Sequence, residues 1–337
     1  MLHRGCEGGG SGRRTVRALM GLAVVVASAA ATLAPLRAET YPSRPVRIIV
    51  PYGAGGIADV TMRLVAQKLG ERLGQQFIID NRPGAGGVVG VRAVATAAPD
   101  GYTLSMIGGG LAISKSLFKS LPYDLVADFV PISTTAFYGL VIAIKAGSPL
   151  KTVKDVIAAA KAQPGALNVG TINPGSTQHL SAELFKTLAG INVTMIPYKT
   201  TPELVTGVLR GEIDVAFEYQ AALQGSLDDR QIVAVATTGR EPASSLPEVP
   251  TVAASGLPGY EVTSWNGLAA PAGTPTEIVT LLNKGVIEVL ALPEIKAATA
   301  KFGMEARGSS SADLEARIKS DIDRWAKVIE TAGIEKK

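Results

Sequence analysis

Two glycine loops carry the residue types on which binding chemistry could be built: Pro51-Tyr52-Gly53-Ala54-Gly55-Gly56-Ile57-Ala58-Asp59 and Asn173-Pro174-Gly175-Ser176-Thr177-Gln178-His179. Each follows a strand-like run and precedes a helical pattern. The first turn of a helix holds N–H groups with no intrahelical acceptor and a partial positive charge, and glycine lets a ligand come close to that backbone. Each loop is therefore a candidate anion seat, and two seats suit a carboxylate held between two domains. Ser176 or Thr177 as an N-cap is compatible with such contact, because the N–H groups that need a cap also bind an anion.

Other side chains with possible chemistry are few. Asp59, in the first turn of its helix, either complements the helix dipole, anchors the loop or accepts a ligand ammonium or hydroxyl. Glu218 follows a strand read as Ile213 to Phe217, and Tyr198 with Lys199 closes the strand Val193 to Pro197. Carboxyl ends of strands are where open α/β sheets bind ligands. His179 is the one histidine after the first forty residues, and no G-x-S-x-G turn accompanies it, so a structural role is expected and no catalytic set is assigned. With one His and no Cys beside it, no metal site and no cofactor are expected. The sharpest rival is a dinucleotide fingerprint: Gly53-Ala54-Gly55-Gly56-Ile57-Ala58 fits G-x-G-x-x-A, and Asp80 ends the second strand where a ribose-binding acid would stand.

The elements that must position these residues alternate. Val46 to Val50 is a buried strand and Ala58 to Leu73 a helix, followed by strands at Phe77 to Asp80 and Tyr102 to Ile107 with a helix at Val88 to Ala97 between them. A second block runs from the strand Leu140 to Ile144 through the helix capped by Thr152 and Asp155, the strand Leu167 to Gly170 and the helix Ser176 to Leu188. It continues with Pro202 to Leu209 as a helix and Ile232 to Ala236 as a strand. A final helix, about Ala312 to Thr331, puts Leu314, Ile318, Ile322, Trp325 and Ile329 on one face for docking on the first block.

Composition narrows the setting. Arg13, Arg14 and Arg17 precede an uncharged run from Ala18 to Ala34, and Ala38 closes a small-residue cleavage pattern, so residues 1–38 read as a signal peptide, with an uncleaved anchor as the alternative. Arg4, Arg13, Arg14, Arg17 and Arg37 against Glu7 account for the whole net charge of +4. The remainder is charge-balanced, which speaks against nucleic acid or a membrane surface as partner. Cys6, in the leader, is the one cysteine, as suits export to an oxidising compartment. The roughly 300 residues after the leader favour two domains.

Many segments in order resemble the tripartite tricarboxylate transporter substrate-binding family, the TctC-like or Bug receptors. They include Tyr41-Pro42-Ser43-Arg44-Pro45-Val46, the Pro51 to Asp59 loop, Asn81-Arg82-Pro83-Gly84-Ala85-Gly86-Gly87, Ala98-Pro99-Asp100-Gly101-Tyr102, Gly175 to Leu180, Pro197-Tyr198-Lys199 and Pro247-Glu248-Val249-Pro250. The resemblance implies an α/β fold of the two-domain periplasmic binding protein kind (type II-like), each domain a mostly parallel sheet flanked by helices, with the ligand cleft between them. Domain 1 would be 41–138 plus 262–337 and domain 2 would be 139–261. It implies a monomeric, non-enzymatic periplasmic receptor that delivers a small carboxylate (a di- or tricarboxylate, an aromatic acid or an acidic amino acid) to membrane transporter subunits. An exported sensor component or an enzyme on the same fold is the alternative. The expected ligand contacts are Tyr52, Gly53, Ala54, Gly55, Gly56, Ala58, Asp59, Gly109, Gly175, Ser176, Thr177, Gln178, Tyr198 and Glu218. Ala58 stands where the family often has Thr or Ser, and Glu218 where Asp is typical.

Overall fold

Apolar runs buried nearly end to end mark strands covered on both faces, and one such run, Val46–Val50, begins the sheet as β1. A computed structural model describes residues 1–3, 5, 41–55 and 57–336. The expected leader therefore lies almost wholly outside the described residues, as does Gly56. The chain falls into two units, residues 1–41 and 42–337, and the second holds every helix and strand described.

In chain order, β1 is followed by α1 (Ile57–Leu73), β2 (Phe77–Asn81), α2 (Val88–Ala95), β3 (Thr103–Gly108), α3 (Gly109–Leu117) and β4 (Phe129–Lys145). Then come α4 (Val153–Ala162), β5 (Asn168–Ile172), α5 (Thr177–Ala189), β6 (Thr194–Tyr198), α6 (Thr201–Arg210), β7 (Val215–Tyr219), α7 (Gln220–Asp228) and β8 (Ile232–Thr237). The chain closes with β9 (Thr263–Pro271), α8 (Thr276–Ala291), α9 (Pro293–Ala300), β10 (Met304–Ala306) and α10 (Ser311–Thr331). Capping boxes start α4 at Thr152 with Asp155 and α6 at Thr200 with Glu203.

The strands run in the order β2-β1-β3-β9-β4-β7-β5-β6, with β8 and β10 also on β4. The α/β fold is as expected, with a mixed sheet. The outer strands β2, β1, β3 and β5, β6, β7 pair in parallel, while every partner of β4 is antiparallel.

The sequence pattern marks β4 only as Leu140 to Ile144. It is a strand of 17 residues because polar Ser133, Thr134 and Thr135 are buried inside it and satisfied or packed by neighbouring elements, which hides them from an apolar pattern. Up to Gly139 it pairs with β9, and from Leu140 it pairs with β7 and β8. One strand thus serves both halves of the molecule.

The C-terminal helix also departs from expectation. Leu314 and Ile318 enter the core formed around Val91, Leu111 and Trp265, but Trp325, Val328 and Ile329 enter the other core, with Leu140, Leu180 and Phe217. A helix of 21 residues is about 32 Å long, enough to reach across both. Helix α3, absent from the sequence-based elements, bridges the same two cores: Leu111 and Ala112 face one, Ile113 and Leu117 the other.

Candidate functional site

Three helix starts converge where the halves meet. A cavity of about 630 Å³ is walled by Tyr52 and Ala58 near the start of α1, by Gly108, Gly109 and Gly110 at the start of α3, and by Gly175, Ser176, Thr177 and Gln178 at the start of α5. Tyr138 from β4, Tyr219 from β7, Ser264 and Asn266 from β9 and Ser114 from α3 add to its polar lining, and Ile113, Leu117 and Phe118 give it an apolar side. Not one charged side chain is among the lining residues.

The start of α5 is the best-defined seat. Ser176 caps it: its hydroxyl accepts from the His179 N–H at 3.1 Å and donates to the Ile172 carbonyl at 3.1 Å. The Ser176 N–H goes to Asn173 O at 3.0 Å and the Gly175 N–H to His179 Nδ1 at 3.5 Å. The expected seat spans Gly175 to Gln178, but the Gly175 and Ser176 N–H groups are thus already used. The N–H groups of Thr177 and Gln178 have no acceptor among the described residues, and they are the orphan donors of the helix start. Gly175 is required by geometry, with φ at +83° and Leu117 Cδ2 only 2.5 Å from where a Cβ would lie.

Gly108 to Gly110 repeat the strand–glycine–helix plan. No side chain caps α3. A Cβ on Gly108 would meet the Trp265 carbonyl at 2.7 Å, so only glycine lets β3 turn into α3 this close to β9.

The phenols are set as donors. Burial, with neighbouring tyrosines adding to it, pushes Tyr52 and Tyr138 well above the ordinary phenol value, and burial raises Tyr219 too, against opposing hydrogen bonds with Ser264 and Thr177. Tyr138 donates to Asn266 Oδ1 at 3.0 Å, Tyr219 Oη lies 3.4 Å from Ser264 Oγ, and the two rings are 5.3 Å apart. Asn266 is 1% exposed, and its Nδ2 has no hydrogen-bond partner among the described residues.

Several expected contacts lie elsewhere. Gly53, Ala54 and Gly55 are exposed and do not line the cavity. Asp59 is buried behind the loop, where it accepts from the Gly55 N–H at 2.8 Å, Arg63 Nε at 2.9 Å and Asn81 Nδ2 at 2.9 Å. Burial would raise its carboxyl, but these hydrogen bonds and the Arg63 charge outweigh that and hold it below the usual carboxylate range. Asp59 is thus an anchor. Asn81 shares the task by donating to the Tyr52 carbonyl at 3.1 Å.

Tyr198 packs on α6, its hydroxyl against Gly207, away from the cavity. Glu218 does not follow a strand but lies inside β7, fully buried, one layer behind Gln178. Asp80, the acid of the dinucleotide reading, pairs with Arg82 at 2.9 Å and Arg47 at 3.8 Å.

The residues missed from sequence are Tyr138, Tyr219, Ser264 and Asn266. They come from three separate strands, and nothing local marks them. The Gly108-Gly109-Gly110 run after a strand is the available signal for α3, and of its three residues only Gly109 is among the expected contacts.

Two α/β halves sharing one long strand, around a ligand-sized cavity walled by hydrogen-bond donors, define a periplasmic binding protein. The chain belongs to the tripartite tricarboxylate transporter receptor family: residues 61–334 match the tripartite tricarboxylate transporter family receptor, TctC. It is 35% identical over 318 residues to the protein BugT of Bordetella pertussis, covering 94% of this chain and 97% of BugT. Among solved structures, R. palustris Rpa4515 with adipate is 35% identical with a TM-score of 0.76, over 88% of this chain and 100% of the other. MatC (Rpa3494) from Rhodopseudomonas palustris with bound malate is 28% identical with a TM-score of 0.71, over 86% and 100%. The family is one of periplasmic solute receptors, and no helix among the described residues is long and apolar enough to cross a membrane.

Proposed function

We propose that this receptor binds a small carboxylate in the cavity between its halves and presents it to a tripartite tricarboxylate-type membrane transporter. The observation that carries the reading is the pair of unpaired N–H groups, Thr177 and Gln178, on a cavity lined by neutral donors. A carboxylate there accepts charge-assisted hydrogen bonds and faces the positive end of α5. The uncapped start of α3 lines the same cavity and supplies a second set of donors. The apolar side formed by Ile113, Leu117 and Phe118 covers a short carbon chain. Adipate and malate in two family members are ligands of this kind.

The halves act as two domains, 41–138 plus 262–337 and 139–261, joined through β4, the Val262–Thr263 crossing and α10. Ligand that contacts both shifts the population towards a closed form, which the transporter subunits recognise. The protein is exported after removal of residues 1–38 and works as a monomer without a cofactor or catalysis.

A thermal-shift screen tests this directly. Ligand that binds only the folded state stabilises it by about 2.7 kcal/mol at a hundredfold excess over its dissociation constant. One or more C4 to C6 carboxylates, aromatic acids or acidic amino acids should raise the melting temperature, and NAD should not. Stabilisation by NAD and by no acid would overturn the proposal.

A further inference from the structure

A second cavity, of about 540 Å³, lies between the same two halves. Residues 239–245, after β8, wall it from the second half, and residues 303–307, which include β10, wall it from the first. Chain neighbours divide between the two cavities: Tyr219, Ser264 and the Tyr138 hydroxyl face the carboxylate cavity, whereas Gln220, Thr263 and the Phe137 ring face the second. Successive residues of a strand point to opposite faces, so the strands that join the halves run between the two cavities. A hinge with a cleft on each side is a lever. Rotation that brings the walls of one cleft together parts the walls of the other.

One contact bridges the rear walls. Gln220, at the start of α7 in the second half, is 3% exposed, and its amide lies against Gly303, just before β10 in the first half. A Cβ on Gly303 would stand 3.1 Å from Gln220 Cδ and 3.2 Å from Oε1. The amide is held in place from its own side: the Ser245 hydroxyl donates to Oε1 at 2.8 Å, and Nε2 donates to Gln224 Oε1 at 3.3 Å. Across the gap to Gly303 the contact is steric. The nearby chain crossing is pinned to α10, since Arg317 donates to the Thr263 carbonyl and Arg324 to the Glu261 carbonyl, each at 2.9 Å.

We infer that Gln220 against Gly303 is a stop behind the hinge, which limits how far the carboxylate cavity opens and so sets the receptor's affinity without touching the ligand. The inference rests on the two-domain receptor reading and adds to it the residues that balance the open form against the closed one. The rear walls lie closest in the open form, so added bulk between them costs that form most. Apparent affinity is reduced by the fraction of receptor that is not in the binding-competent form. Bulk added at the stop therefore tightens binding, and bulk removed there loosens it. Gln220 is a positioning residue in this scheme, because it does not line the carboxylate cavity.

A size series at the stop decides the matter. Gln220→Trp adds bulk from one wall and Gly303→Ala from the other, Gln220→Ala removes it, and Gln220→Met keeps the size while losing the polar bonds. Succinate, malate, adipate, benzoate and aspartate are titrated calorimetrically into the parent and each variant, with circular dichroism to check folding. For each acid that binds the parent, Gln220→Trp and Gly303→Ala should bind at least about threefold more tightly, Gln220→Ala at least about threefold more weakly, and Gln220→Met within about twofold of the parent. Small-angle scattering of the unliganded proteins should give a smaller radius of gyration for Gln220→Trp than for Gln220→Ala. If the folded Gln220→Trp and Gly303→Ala proteins bind no more tightly than the parent, or if Gln220→Met is as weak as Gln220→Ala, the inference is overturned while the receptor reading stands. If none of the acids binds the parent, both fall.

Discussion

Trp265 donates its indole Nε1 to Asp321 Oδ2 at 2.6 Å, and through this bond the strand beneath the cavity is tied to the C-terminal helix. Trp265 is fully buried in β9, and its indole nitrogen lies 3.6 Å from where a Cβ on Gly109 would stand. Asp321 is 2% exposed and also receives Arg317 Nε at 3.2 Å, with Arg324 3.7 Å away. Asp321→Ala would leave an indole N–H and the Arg317 guanidinium without their buried acceptor. Removing one partner of a buried charged pair costs about 3–5 kcal/mol, whereas Trp265→Phe, which spares the arginine pairing, loses one hydrogen bond to a charged group and part of a ring. Urea unfolding should show both variants destabilised and Asp321→Ala more so.

Asp59 gives the protein an acid-sensitive loop. Because its folded-state pKa is depressed, the stability it contributes is present above the unfolded value of about 3.9 and is lost as the pH falls through the folded value. Asp59→Asn should therefore unfold more easily than the parent at pH 7, with the difference shrinking as the pH is lowered from about 4. Denaturant melts at pH 7, 5, 4 and 3 measure this. A difference that stays constant down to pH 3 would count against the ion-pair origin of the anchor.

Ser176 and Thr177 separate capping from binding. Since the Ser176 hydroxyl is used at both ends within the protein, Ser176→Ala should cost stability, about 1 kcal/mol for a lost N-cap, with affinity changed little. Thr177 heads the helix and lines the cavity, and its hydroxyl hydrogen-bonds the Tyr219 phenol in the cavity wall rather than capping the helix. Thr177→Val should weaken carboxylate binding by about 1 kcal/mol, the worth of one hydrogen bond, by releasing Tyr219 in the cavity wall, and should cost no more than a similar amount of stability. Paired unfolding and calorimetry on the two variants read the contrast.

Much of this is legible in the sequence for a physical reason: glycine turns between apolar strands and helices are local signals, and those at Gly175 and near Tyr52 do frame the cavity. The capping box at Thr152 and the apolar face of α10 are local too. What a single sequence does not carry is which side of a loop faces the ligand. Gly53 to Gly55 and Asp59 belong to the right loop, but Asn81, arriving from β2, and Arg63, one turn on, hold Asp59 away from the cavity. Glu218 is misplaced by the apolar pattern because its charge ends the run at Phe217, although β7 continues against β4 through Glu218 and Tyr219. The polar walls Tyr138, Ser264 and Asn266 depend on the antiparallel pairing of β4 with β9, a contact between residues more than 120 positions apart.

The central claim is that carboxylates sit between the starts of α3 and α5, and the glycines allow a direct measurement of it. A Cβ on Gly109 would stand in ordinary contact distance, 3.6 Å from Trp265 Nε1 and 3.7 Å from Ser264 Oγ, so Gly109→Val can fold while its branched side chain occupies the cavity wall. Gly55, at φ +82°, has no atom within 4 Å of its would-be Cβ and lies off the cavity; Gly55→Val strains the turn without filling the site. Calorimetric titration of the best carboxylate from the thermal-shift screen into the parent and both variants should show Gly109→Val weakened at least about a hundredfold and Gly55→Val within about tenfold of the parent, scaled by about 1.4 kcal/mol per tenfold. Parent-like affinity in a folded Gly109→Val protein would contradict the account, because the carboxylate would then be bound somewhere other than this cavity.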